Sequence, residues 1–186
     1  MLAAAGVAAL VRPSGIDEAP LQARLRAAGA APADLALALA RAKAEAVLAM
    51  TDIPAGSLVI GADQVLTCDG RWYDRPPDLA AARQQLLALR ARSHRLTSAL
   101  HLCGVGVAPW QVADHADLRM RPFSDLVLDR YLADEGNAVL GSVGGYRVEG
   151  PGLQLFESIA GDWFTILGLP LLPLLERLRH LGALPS

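Results

Sequence analysis

The chain has 186 residues, of which 53% are hydrophobic and 19% charged, with a formal net charge of -2. That length suits one domain, or two small lobes around a shared cleft, and it carries ample apolar material for a core. No dense Lys/Arg run is present, so a general polyanion binder is excluded, while a few cations in one cleft can still hold a small anionic substrate.

Leu2 to Leu10 is small and apolar, and Arg12 to Glu18 reads as a loop broken by Pro13 and Gly15. Leu21 to Ala28 predicts a short helix. A clearer helix opens at Pro32-Ala33-Asp34 and runs to about Met50, with Leu35, Leu39, Ala42, Ala46 and Ala49 at helical spacing. Ser57 to Thr67 predicts a strand rich in branched residues. Asp69-Gly70 then predicts a hairpin turn into a returning strand at Trp72-Tyr73. Asp78 is placed to cap a helix from Leu79 to about Ala91.

His94 to Val107 alternates as a strand, and Val112 to Met120 is expected to return beside it. Ser124 and Gly136 bracket a helix over Asp125 to Glu135. Gly141 to Gly152 is glycine-rich and reads as a loop, Leu153 to Ile159 as a strand, and Leu171 to about Leu181 as a final helix after Pro170. Helices and strands alternate with hairpins among them, which predicts an α/β fold with a mixed sheet.

Cys68 and Cys103 do not form a C-x-x-C pair, so neither a zinc knuckle nor a redox motif is indicated; two buried thiols in a reducing cytosol are expected. The apolar opening lacks a basic n-region, and the apolar stretches at 35–40 and 166–175 are too short to span a bilayer. These features predict a soluble cytoplasmic protein without membrane or nucleic-acid partners.

One strand carries an anomaly. Asp63 lies within Leu58-Val59-Ile60-Gly61-Ala62-Asp63-Gln64-Val65-Leu66, where a carboxylate is costly unless it is paired or belongs to a site. A strand-end Asp bonding a turn is the structural alternative. Lys43 is the only lysine in a chain whose other basic residues are arginine. It lies in Leu39-Ala40-Arg41-Ala42-Lys43-Ala44, where a solvated helical lysine is the ordinary reading. Asp74-Arg75-Pro76-Pro77 reads alone as a loop. Gly144-Gly145-Tyr146-Arg147-Val148-Glu149-Gly150 suits a loop that hugs a phosphate or a base. Gly161-Asp162-Trp163-Phe164-Thr165-Ile166-Leu167-Gly168-Leu169-Pro170 reads as packing and helix entry.

Taken together and in order, these five segments resemble the Maf family of nucleoside triphosphate pyrophosphatases, also called septum formation inhibitor-like proteins. The family pattern runs Leu-Ala-x-x-Lys-Ala, then a strand ending Ala-Asp-Thr-Val or Ser-Asp-Gln-Val, then Lys-Pro. It continues with a Tyr-x-x-Gln-Gly or x-x-Glu-Gly loop and Gly-Asp-x-x-x-x-x-Gly-Leu-Pro. The resemblance covers nearly the whole chain, including the acidic pair Asp17-Glu18. It implies one Maf-like domain over residues 1–186. The implied fold is elongated and Maf/ITPase-like, with a central mixed sheet flanked by helices and a cleft between two lobes. It also implies hydrolysis of (d)NTPs to the monophosphate and diphosphate with Mg²⁺ or Mn²⁺, removal of non-standard or modified nucleotides, and a homodimer.

Carried over by position, Asp63 resembles the proton acceptor for the attacking water, and Lys43 and Arg75 the groups that neutralise phosphate charge. Asp63 and Glu18 resemble metal ligands. Gln64 and Glu149 match the positions tied to base choice, and this pair resembles the 7-methyl-GTP branch, as does Leu155-Phe156. Tyr146 and the Gly-Asp-Trp-Phe-Thr run are closer to the thymidine and uridine triphosphate branch.

Two features depart from the family pattern. Arg75 stands where the family has lysine, which keeps the charge but not the point-donor geometry. The family's opening strand and Ser-x-Ser-x-x-Arg-Arg loop, a phosphate cradle at a helix N-terminus, has no match here. Met1 to Val7 resembles the end of the helix that follows that loop, so about a dozen residues of the pattern precede it. The alternative expectation is a catalytically impaired nucleotide-binding or regulatory protein linked to cell division.

Overall fold

A computed structural model describes residues 1–185. Among the described residues are helices α1 (Ala19–Ala27), α2 (Pro32–Leu48), α3 (Leu79–Leu89), α4 (Asp125–Glu135), α5 (Trp163–Ile166) and α6 (Leu171–His180). The strands are β1 (Leu58–Cys68), β2 (Arg71–Tyr73), β3 (Ser93–Gly104), β4 (Val107–Met120) and β5 (Phe156–Ala160), ordered β2-β1-β3-β4-β5 in one sheet. Among the described residues no helix is long and apolar enough to cross a membrane.

The α/β class is as expected, but the sheet is antiparallel where a mixed one was anticipated. Leu66 pairs with Tyr73 and Cys68 with Arg71 across β1 and β2, and β4 pairs antiparallel with β5. Between β1 and β3, Gly104 lies against Ser57 and Leu58 at one end, and Cys68 Sγ donates to the Ser93 carbonyl at the other. The cause is connectivity. The β1–β2 and β3–β4 links are tight turns, and β2 and β3 both flank β1 with the same sense. At the first turn Asp69 and Gly70 both adopt positive φ, 49° and 75°, the backbone of a type I′ turn that the Asp-Gly pair favours.

Helix caps fall where the sequence puts them. Asp78 accepts from the Ala81 N–H, and Ser124 accepts from the Val127 N–H. Three elements differ from expectation. Strand β4 begins at Val107, where the preceding strand was expected to end, and not at Val112. The strand expected from Leu153 begins only at Phe156, because Pro151–Leu155 coils as a 3₁₀ turn. Helix α5 was not expected at all; Asp162 caps it by accepting from the Thr165 N–H.

The chain forms two compact units. The first comprises Met1–Gln64, Thr97–Asp114 and residues from Asp162 onward, and the second comprises Val65–Leu96 and His115–Gly161. In the first, Val7, Leu100, Leu102, Leu169, Leu171, Leu174 and Leu178 form one buried cluster, with Leu58, Ile60 and Ala62 packed on it. Ala44, Val47, Val59 and Cys103 form another. Alternate residues of β1 therefore face α6 and α2 in turn. In the second, α3 and α4 bury Ala82, Leu86, Leu89, Leu128 and Leu132. Cys68 and Cys103 are buried free thiols.

Helix α2 is built to press closely on β1. Pro32 lies in its first turn, Asp34 favours the positive end of the helix dipole, and Leu35, Ala36, Leu39, Ala40, Ala44 and Val47 make a buried stripe. Opposite the small Ala40 and Ala44 sits Gly61. A Cβ there would overlap the Ala40 carbonyl oxygen and come within 2.9 Å of the Ala44 backbone nitrogen. These are backbone atoms in a helix, which cannot rotate aside. Gly61→Ala is therefore expected to lower the unfolding free energy by about 1–3 kcal/mol, the usual range for overpacking, in urea denaturation. An unchanged midpoint would contradict this packing.

Candidate active site

The close approach of α2 delivers Lys43 to β1. Lys43 lies on the same helix stripe as Leu39, Ala40 and Ala44, and its Nζ donates to Asp63 Oδ1 at 2.6 Å. The same ammonium pairs with Glu18 Oε1 at 3.0 Å. The Asp63 side chain is 10% exposed and that of Lys43 20%, so both charges are largely shielded from water. Burial works against the charged form of Lys43, but the hydrogen bonds and charges of Asp63 and Glu18 outweigh it and raise its pKa. Lys43 is thus a fixed cation at neutral pH, and an ionised Asp63 is the partner that this requires.

Glu18 sits just ahead of α1, where Asp17 Oδ1 accepts from the Ala19 N–H and helps to fix the turn. Lys43 therefore gathers the two carboxylates that the family resemblance suggested as metal ligands. Their oxygens are hard donors. Mg²⁺ and Mn²⁺ are held at such sites by one or two carboxylates with water and substrate phosphate completing the shell, so the donor set fits. Among the described residues no group of three or more His, Cys, Asp or Glu side chains gathers as a complete protein-only site.

Gln64 follows Asp63 but points to the opposite face of β1. Its Nε2 donates to Ser98 Oγ at 2.9 Å, to the Thr165 carbonyl at 3.1 Å and to the Ile166 carbonyl at 3.0 Å. Ser98 was not singled out in the sequence. Its one available signal was a hydroxyl on the alternating face that also carries Leu96, Leu100 and Leu102.

Arg75 and Glu149 belong to the second unit. Arg75 is exposed beside the buried Pro76, in a segment held to α3 by Gln85 Nε2 donating to the Asp74 carbonyl at 2.9 Å. Glu149 lies on the glycine-rich loop. Arg147 Nε donates to Glu149 Oε1 and Arg147 Nη1 to Glu135 Oε2, each at 3.1 Å, while the Arg147 N–H donates to the Tyr131 hydroxyl. The Glu149 carboxylate thus has one oxygen fixed by a guanidinium that the sequence reading did not assign.

Behind this loop, within the same unit, lies a buried aromatic cluster. Tyr146 Oη and His94 Nε2 are hydrogen-bonded at 2.8 Å, and Phe156 packs on both rings. Gly144 and Gly145, with φ of 79° and 72°, turn the chain where a side chain would strike Leu66 or crowd Ala82. His94 Nδ1 is buried with no hydrogen-bond partner among the described residues. Burial lowers the His94 pKa from 6.5 to about 4, the charge of Asp117 opposing the shift only in part.

This arrangement defines an α/β protein with a shielded carboxylate–ammonium cluster on one face of β1. The family model described as Maf-like protein matches residues 1–181, and the chain belongs to that family. It is 48% identical over 184 residues to a protein of Granulibacter bethesdensis named nucleoside triphosphate pyrophosphatase, covering 99% of this chain and 92% of the relative. It is 47% identical over 186 residues to a protein of Rhizobium meliloti named 7-methyl-GTP pyrophosphatase, covering 100% of this chain and 92% of the relative. A nucleoside triphosphate pyrophosphatase of Paramagnetospirillum magneticum is 48% identical over 184 residues, covering 99% of this chain and 93% of the relative.

The His94 shift yields a pH prediction. The folded pKa is depressed, so the unfolded chain binds the extra proton between pH 6.5 and about 4. The stabilising contribution of neutral His94 is complete above the unfolded value and falls away as pH drops through that window. Urea denaturation at pH 7, 5.5 and 4.5 should show a loss approaching about 3 kcal/mol attributable to this group. The His94→Gln variant should lack that slope. Parallel pH profiles for the two proteins would contradict the assignment.

Proposed function

We infer that this chain is a nucleoside triphosphate pyrophosphatase that converts an NTP and water to the monophosphate and diphosphate. The observation that carries the reading is the Lys43–Asp63–Glu18 cluster, a shielded carboxylate held at 2.6 Å from a permanent cation. Membership of the Maf-like family and the names of its relatives support it.

In this reading Asp63 accepts a proton from water as the water oxygen bonds to the α-phosphorus, and the bond from that phosphorus to the bridging oxygen breaks. The electron pair leaves with diphosphate, and Asp63 then passes its proton to solvent. Lys43 exchanges part of its pairing with Asp63 for the negative oxygens of the triphosphate. It offers charge where the transition state carries it. Glu18 keeps Lys43 oriented during that exchange. Arg75 supplies a second cation to the phosphate chain. A divalent cation bound to Asp63 and Glu18 would add charge neutralisation on the phosphate oxygens. Gln64 and Glu149 supply base contacts. A carboxylate at Glu149 suits the N1–H and N2–H₂ edge of guanine, which favours 7-methyl-GTP among the modified nucleotides.

The reading is tested by diphosphate release from GTP, 7-methyl-GTP, UTP and dTTP with Mg²⁺ or Mn²⁺. Wild-type turnover that is lost on adding EDTA is expected. Asp63→Asn, which keeps shape but not basicity, should lower kcat by about 10²–10⁴. Lys43→Ala should lower kcat/KM by at least about tenfold, a loss of about 1.4 kcal/mol of transition-state stabilisation. An Asp63→Asn protein as active as wild type would sink this reading. Nucleotide binding without turnover in the wild type would point instead to a regulatory nucleotide-binding protein.

A further inference from the structure

We propose that Lys43 is an internal counter-cation that keeps a divalent metal ion off Asp63 until a polyphosphate draws the ammonium away. Metal and substrate then bind as a coupled pair, each weakly without the other. The proposal rests on the reading of Asp63 and Glu18 as the carboxylates that hold the metal, and it adds a regulation of that site.

The ammonium stands between two carboxylates. Nζ donates to Asp63 Oδ1 at 2.6 Å and pairs with Glu18 Oε1 at 3.0 Å. These oxygens are the hard donors that Mg²⁺ or Mn²⁺ requires. A divalent ion approaching them meets a pair of carboxylates already half neutralised, and it meets the like charge of the ammonium as well. Shielding from solvent makes that repulsion stronger than it is in water. Asp63 and Lys43 are both in that condition, at 10% and 20% exposure.

Lys43 cannot retreat by moving its backbone. Ala40 and Ala44 press their backbone atoms on Gly61, and the stripe from Leu35 to Val47 is buried. Any displacement therefore falls to the four-carbon stem, which rotates freely compared with the helix that carries it. The ammonium has three N–H groups, and the two carboxylates take two of them. The third can meet an incoming anion before either carboxylate is released. A triphosphate carries several negative oxygens and competes well against one aspartate. Glu18 is 35% exposed and has two oxygens, so it can keep one on the ammonium as Asp63 lets go.

The sequence of events is then fixed. Phosphate engages Lys43, Lys43 leaves Asp63, and Asp63 regains the full charge that attracts a divalent ion. Linkage makes the coupling reciprocal, so phosphate raises metal affinity by the same factor as metal raises phosphate affinity. Three roles for Lys43 are separable by metal binding alone. A lysine that only binds phosphate leaves metal affinity unchanged when removed. A lysine that only supports the fold weakens metal binding when removed. A competing cation strengthens it.

The test has two arms. Mn²⁺ alone, counted through the paramagnetic resonance of the free ion, should bind Lys43→Met at least about tenfold more tightly than the wild type. Lys43→Arg keeps the charge and should bind Mn²⁺ as weakly as the wild type. Adding Asp63→Asn to Lys43→Met should abolish the gain. The second arm uses the wild-type chain, so it stands even where Lys43→Met fails to fold. Lys43 is the only lysine, so isotope-labelled lysine gives one side-chain resonance to follow. Mg²⁺ alone should leave that resonance in place, and inorganic triphosphate without metal should move it. Mn²⁺ binding no tighter to Lys43→Met, a resonance displaced by Mg²⁺ alone, or one unmoved by triphosphate would overturn the proposal. Tighter Mn²⁺ binding by Lys43→Met, with a wild type that releases no diphosphate from any nucleotide, would overturn the pyrophosphatase reading alone.

Discussion

The contact between Gly61 and the backbone of α2 is the constraint on which the Asp63 cluster depends. A helix packed on a strand through ordinary side chains stands off by the thickness of those side chains. Here a glycine on β1 faces Ala40 and Ala44, and the helix backbone comes to the strand itself. That distance sets where Lys43, one residue before Ala44, can reach. Its Nζ arrives at Asp63, two residues past Gly61 on the same strand face. The ion pair is therefore a product of backbone packing. A largely buried lysine alone would be destabilising, and so would a largely buried aspartate. Each offsets the other, and Glu18 adds a second acceptor for the same ammonium.

Consecutive residues of β1 divide the chemistry between its two faces. Asp63 turns toward α2 and meets charge, while Gln64 turns toward α5 and meets neutral acceptors. The period of two in a strand makes this division automatic. A one-residue slip would exchange the two environments, placing a carboxylate against the α5 carbonyls and an amide against Lys43. Register is fixed by Gly61 on one face and by Leu58, Ile60 and Ala62 in the apolar cluster on the other.

Much of this was legible in the sequence, for physical reasons that differ by element. Helix α2 showed its periodicity over several turns, and the Asp69-Gly70 turn carried a specific backbone preference. Asp63 stood out because a carboxylate amid apolar strand residues needs a cause. The pairing of Lys43 with Asp63 was not legible, since twenty positions separate them and the motif order gave each a role without pairing them. Helix α5 is too short to show a period, and its cap Asp162 lay in a segment read as packing and entry to the final helix. The antiparallel sense of the sheet depends on which side of β1 receives β3, which no local pattern encodes. Ser98 and Arg147 were missed because their roles lie in what they hold. A buried hydroxyl and a loop arginine look ordinary until their acceptors are in place.

The central claim is that Asp63 directs water to the α-phosphorus of a nucleoside triphosphate. Hydrolysis in water enriched in ¹⁸O, followed by mass spectrometry of both products, tests it most directly. Attack at the α-phosphorus places the label in the monophosphate and leaves the diphosphate unlabelled. Label found in the diphosphate would mean attack at the β-phosphorus, and would contradict the role assigned to the Asp63 cluster.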